Sequence, residues 1–172
     1  MSLAIIYGAG STVADQKVAL NDFGANQNGV VLEMVPAGGT ANQSTFLLGP
    51  GVYRVDCQIG ADFGSLNTEI GSGFFYLWDE TSSVVRSLSS PAYQSYTPPY
   101  VGAVAVRNPQ LFQMFSRFSI SKGTKRFSIR YDVNPASGFT RPDFMAHNVT
   151  TPIGGSAVPQ RPTQIKIIRT DS

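Results

Sequence analysis

Along GVYRVDCQIGADF (51–63) apolar and polar positions alternate. Tyr53, Val55, Cys57, Ile59, Ala61 and Phe63 fall on one side, and Arg54, Asp56, Gln58 and Asp62 on the other. Successive side chains of a strand point to opposite faces, so a period of two predicts a β-strand with one buried face. TKRFSIRYDV (124–133) repeats the pattern, with Phe127, Ile129, Tyr131 and Val133 opposed to Arg126, Ser128, Arg130 and Asp132. QLFQMFSRFSI (110–120) places Phe112, Met114, Phe118 and Ile120 together, and the short SKGTK turn predicts a hairpin between these last two strands. SGFFYLWDE (72–80), SSVVRSLSS (82–90) and PTQIKIIRT (162–170) predict three more strands, and VVLEMV and TFLLG two shorter ones. Two stretches rich in Pro, Gly, Ser and aromatics, 90–102 and 134–162, are expected to be loops. No segment sustains a 3.6-residue apolar period, so the chain is expected to be all-β.

Composition agrees. With 17 Gly, 11 Pro and only 14% charged residues, the sequence is poor in helix formers and rich in strand and turn formers. A chain of 172 residues has room for one domain with a substantial core. The net charge is +2 and the basic residues are spread along the chain, so no nucleic-acid or membrane-surface footprint is expected. The apolar runs are shorter than the ~20 residues of a membrane helix, and no signal-peptide pattern is present. Synthesis as a soluble protein in a cytoplasm is the expectation.

Candidate chemistry is sparse. AIIYGAGSTVA (4–14) holds Gly8 and Gly10 after an apolar run, with Glu33 some way on, as at the start of a dinucleotide-binding unit. Val13 stands where a third glycine or alanine is needed, and no strand–helix–strand repeat follows, so no cofactor is expected. The bland reading is an N-terminal arm in which the glycines let the chain turn. His147, the sole histidine, has Asp143 near it in sequence but no serine in a nucleophile-elbow context. One His and one Cys supply no metal cage, and Cys57 lies in an alternating apolar pattern as a buried thiol. No catalytic residue and no metal is expected. In the loops, Tyr93, Tyr96 and Tyr100, and the group Phe139, Arg141, Asp143 and Phe144, combine flat apolar faces with polar tips. Such groups suit either subunit packing or sugar contact.

The runs LGPGVYRVDCQIGA, FFYLWDETSSVVRSLSSPAYQS, SRFSISKGTKRFSIRYDVNPA and PTQIKIIRT together resemble a known family. They are similar to the C-terminal jelly-roll domains of tailed-bacteriophage fibre and virion proteins, relatives in shape of the complement globular head and the tumour-necrosis-factor domain. The residues carrying the resemblance are Pro50, Gly51, Tyr53 and Arg54; Leu77, Asp79 and Thr81; and Phe118, Ile120, Phe127, Ile129 and Arg130. It spans about residues 46 to 170.

The resemblance implies an antiparallel jelly-roll sandwich over 46–172, a homotrimer, and a structural place in a virion. Residues 1–45 are expected to be an arm that docks onto a capsid, neck or tail protein, in place of the shaft of a long fibre. Apolar residues on both faces of several strands independently suggest association, with Phe75, Leu77 and Phe115 as candidate trimer contacts. Two rivals stand beside this reading. One is an adhesin gripping host polysaccharide through Tyr93, Tyr96, Tyr100, Phe139, Arg141 and Phe144. The other is a hydrolase built from carboxylates brought together by loops.

Overall fold

The computed structural model describes residues 1–13, 16–36, 43–62, 70–90, 92–95, 110–133, 143–144, 151–153, 156–158 and 163–171. The chain is all-β, with no α-helix among the described residues. Its strands are β1 (Ser2–Val13), β2 (Lys17–Asn26), β3 (Glu33–Pro36), β4 (Gln43–Leu48), β5 (Gly51–Asp62), β6 (Ile70–Asp79) and β7 (Val84–Leu88). There follow β8 (Ala92–Ser95), β9 (Gln110–Ile120), β10 (Lys125–Val133), β11 (Asp143–Phe144), β12 (Thr151–Ile153), β13 (Ser156–Val158) and β14 (Gln164–Arg169). The alternation at 51–62 and 125–133 became β5 and β10, with the expected faces inward: Tyr53, Val55, Cys57, Ile59 and Ala61, and Phe127, Ile129 and Tyr131, are all buried. The stretches expected to be loops contain four short strands, β8 and β11 to β13.

Every pairing among the described residues is antiparallel. One continuous sheet runs β9-β5-β14-β1-β2-β4-β10-β6-β7, with β3 beside β4, β8 beside β6 and β11 beside β5, while β12 and β13 pair with each other as a separate two-stranded sheet. Rings from distant parts of this path meet, one pair edge-on and one stacked. Phe75 of β6 lies 5.0 Å from Phe112 of β9, and Phe118 of β9 lies 5.0 Å from Phe127 of β10. The sheet therefore folds over at β2 into two layers, β9-β5-β14-β1 and β4-β10-β6-β7, which bury one apolar interior between them. The two free edges, β7 and β9, then approach each other. There the Ser87 hydroxyl donates to the Phe115 carbonyl at 2.8 Å and the Ser116 hydroxyl to the Arg86 carbonyl at 3.1 Å.

Two expectations are corrected. The described residues of the 1–45 segment do not form an arm. β1 lies between β14 and β2, Ala4 and Ile6 are fully buried, and Val18, Ala19, Leu20, Val30 and Val31 join the interior. Asn26 locks the turn after β2 by donating to the Val31 carbonyl and accepting from its amide. Nor do β9 and β10 form a hairpin: β9 pairs with β5, and β10 with β4, β2 and β6. Both strands carry an apolar face. Stacking Phe118 on Phe127 across the interior buries both faces at once, so the turn at 121–124, with Gly123 at φ +70°, carries the chain between layers.

Gly8, which suggested a phosphate-binding turn, has another use. Its amide donates to the Thr163 carbonyl at 3.0 Å, and a Cβ there would stand 2.5 Å from the Thr163 methyl carbon. Any side chain would push β1 away from the segment that leads into β14.

Candidate functional site

β6 carries two kinds of residue on its two faces. Phe75, Leu77 and Asp79 point inward and are buried, while Phe74, Tyr76 and Trp78 lie half-buried on the outer face. Their rings follow one another along the strand. Phe74 and Tyr76 are 6.0 Å apart and tilted, and Tyr76 and Trp78 are 6.2 Å apart and nearly perpendicular. On neighbouring β10 the register sets Ser128 opposite Trp78, Arg130 opposite Tyr76 and Asp132 opposite Phe74. The Arg130 guanidinium lies over the Trp78 ring, 5.4 Å from its centre, an arrangement that the ring quadrupole favours.

Just beyond β6, Glu80 ties this face together. It accepts from Ser128 at 2.7 Å, from Arg130 Nη2 at 2.7 and 2.9 Å and from Arg130 Nε at 3.3 Å, and Lys17 stands 3.4 Å away. The Glu80 amide also donates to the Arg126 carbonyl, which puts Arg126 beside Glu80 at the end of the aromatic row. The Arg126 side chain is exposed and has no ion-pair partner among the described residues. Asp132, at the other end, is likewise exposed.

Asp79 points inward and is fully buried, yet charged groups meet it. Arg86 bonds its carboxylate, Lys125 stands 3.4 Å away, and the Ser82 amide donates to it at 2.9 Å, which closes the β6–β7 hairpin. Burial alone would raise the Asp79 carboxyl. The bonds from Arg86 and Ser82 and the charge of Lys125 outweigh it and hold the group below the ordinary aspartate range. Glu80 is lowered in the same way, burial being overcome by Ser128, Arg130 and Lys17. A carboxyl lowered on folding stabilises the fold fully above its unfolded pKa, near 4, and the contribution is lost as pH falls through the lower folded value. The urea midpoint is therefore expected to hold between pH 7 and 5 and to fall steeply below pH 4. Asp79→Asn should start lower and show a shallower acid limb, and an unchanged acid limb would contradict this assignment.

A second surface lies where the two edges meet. On β9, Leu111 and Phe115 are 54% and 63% exposed, and on β7 Leu88 is 59% exposed, beside Val84 and Val85. The outer side of β1 is also apolar, with Leu3, Ile5, Tyr7 and Ala9 half-buried and Ile168 of β14 opposite Leu3. A strand apolar on both faces is the signature of one covered on both sides.

Of the residues expected to form trimer contacts, Phe115 lies on this surface. Phe75 and Leu77 do not: at 0% and 1% exposure they belong to the chain's own interior, and that expectation is corrected. Their neighbours Phe74, Tyr76 and Trp78 hold the outward positions instead, since a shift of one residue exchanges the faces of a strand. Among the aromatics proposed for glycan contact, Tyr93 is described in its backbone, as the partner of Ser72 on β6, and Phe144 as the partner of Ala61 on β5. Tyr96, Tyr100, Phe139 and Arg141 lie outside the described residues, as does His147.

Cys57 is buried, and its surroundings push the thiol far above its ordinary value. Among the described residues no three His, Cys, Asp or Glu side chains converge as a metal cage. Neither the outer row of β6 nor its charged border was singled out from sequence, although FFYLWDE shows aromatics on both parities. No family model matches the chain, and comparison with curated proteins finds no match.

Proposed function

We propose that this chain is a structural subunit of a tailed-phage virion, a homotrimeric jelly-roll knob that decorates the head, forms a short head fibre or sits on the tail. It is made in the host cytoplasm and carried on the particle. Its role is assembly and presentation, with no reaction and no cofactor of its own.

The strand order supports the jelly-roll reading. Numbering the eight principal strands β1, β4, β5, β6, β7, β9, β10 and β14 from one to eight, the layers run 1-8-3-6 and 2-7-4-5. That is two antiparallel Greek keys wrapped around one core. The phage assignment itself rests on the sequence resemblance.

The observation that carries association is the unburied apolar surface. Leu88, Leu111 and Phe115 crowd one edge of the sandwich, and Leu3, Ile5 and Ile168 lie on the outer face of another part of the same chain. Two different apolar surfaces on one molecule fit a head-to-tail contact, which closes into a ring when the rotation is right. Covering a few hundred Å² per subunit contributes on the order of 10 kcal/mol before association costs, at about 25 cal/mol per Å².

Light scattering of the purified chain is expected to give about three times the 18.5 kDa of one subunit. Phe115→Glu, which changes an exposed residue and leaves the interior intact, should give a folded chain of single-subunit mass. A wild-type chain that stays monomeric at high concentration would remove the basis for the trimer.

A further inference from the structure

The outer face of β6 and β10 has no part in that assembly reading. We infer that it is a binding site for an acidic polysaccharide. Phe74, Tyr76 and Trp78 occupy every outward position from 74 to 78 on one strand, with ring centres 6.0 and 6.2 Å apart. That spacing is close to the length of one pyranose unit, and the apolar C–H faces of pyranose rings pack on aromatic rings. Beside the rings are groups that can bond sugar hydroxyls: the Tyr76 hydroxyl, Arg130 and the exposed Asp132.

The charge pattern selects the sugar. Glu80 is already neutralised by Arg130, so the exposed Arg126 guanidinium next to it is a cation with no ion-pair partner among the described residues. A carboxylate on the sugar at Trp78 would fill that vacancy with a planar, two-pronged pair. Asp132 does not cancel this charge. It lies six strand residues from Arg126, about 20 Å, well beyond the ~8 Å screening length of physiological salt. The partner is therefore a chain of pyranoses bearing carboxylates, held by its ring faces and one terminal ion pair. An inorganic polyanion lacks the ring faces, and a neutral glucan lacks the carboxylate.

Trp78 is the sole tryptophan of the chain, so its emission reports on this face alone. Titration of the full-length protein with polygalacturonate oligomers is expected to change the Trp78 emission saturably. Dextran and a single-stranded oligonucleotide of similar length should not do so at the same concentrations. Arg126→Gln should weaken the response about tenfold or more, as expected for loss of a charge-assisted bond. Lys166→Gln, an exposed cation on the other layer, should leave it unchanged. No saturable change with polygalacturonate, an equal response to dextran or oligonucleotide, or full binding by Arg126→Gln would each overturn the inference. The oligomer mass is read separately, so loss of the trimer and loss of glycan binding are distinct outcomes.

Discussion

Deleting residues 1–13 is expected to leave a chain that does not fold. β1 pairs with β14 from Ser2 to Tyr7 and with β2 from Ala4 to Val13, so its removal opens two interior edges at once. It also removes the fully buried Ala4 and Ile6 from the interior. An edge opened in the middle of a sheet loses its ladder bonds and presents unpaired backbone groups that attract other chains. Burial of one isoleucine is worth about 1.5–3 kcal/mol. Each lost ladder bond adds about 1 kcal/mol. Two ladders together approach the whole ~5–15 kcal/mol by which a domain of this kind is stable. Circular dichroism and gel filtration should show aggregate or unfolded chain. A soluble, cooperatively melting product would mean that the segment is a detachable arm after all.

Phe127→Ala should cost about 3–5 kcal/mol, the range for truncating a buried aromatic. Its ring is packed on both sides, 5.8 Å from Phe46 and 5.0 Å from Phe118, so it joins β4, β9 and β10 across both layers. Urea unfolding should show the loss as a lower midpoint with an unchanged slope. Phe115→Ala provides the contrast. That ring is 63% exposed, and the folded subunit should change by no more than about 0.5 kcal/mol. Equal losses at the two positions would mean that the interior has been wrongly placed.

Strands with one wet face were readable before any coordinates. β5 and β10 alternate cleanly because each meets water on one side, so polarity marks every second residue. β1 and β2 do not. In SLAIIYGAG the outward Leu3, Ile5 and Tyr7 are as apolar as the inward Ala4 and Ile6, so no period of two remains. β2 carries Asn21, Asp22, Gly24 and Asn26, which look like turn signals, and its pairing with β1 shifts register three times. Gly24 stays small for a tertiary reason, since a Cβ would stand 2.4 Å from the Tyr7 ring. The β9–β10 misreading has a different origin. A short turn between two strands looks alike whether they lie side by side or face each other, and the tertiary pairing of β9 with β5 and of β10 with β4 and β6 separates the cases.

The candidate site was half legible for a related reason. FFYLWDE shows that β6 has aromatics on both parities, but which parity faces water depends on the partner strand. Arg130 and Glu80 join the aromatic row only through tertiary pairing: they lie fifty positions apart in sequence and bond at 2.7 Å.

The sandwich closes like a book. Its spine is β2, laddered to β1 on one side and bridged to β4 and β10 on the other, while its fore-edge is held, among the described residues, by the hydroxyls of Ser87 and Ser116 and by Arg86 over the Phe118 ring. Thermal opening should start at that fore-edge, and amide deuteration there should run ahead of the spine. Whatever clasps the fore-edge from outside, a neighbouring subunit included, would act as a cover lock and slow the whole volume from falling open.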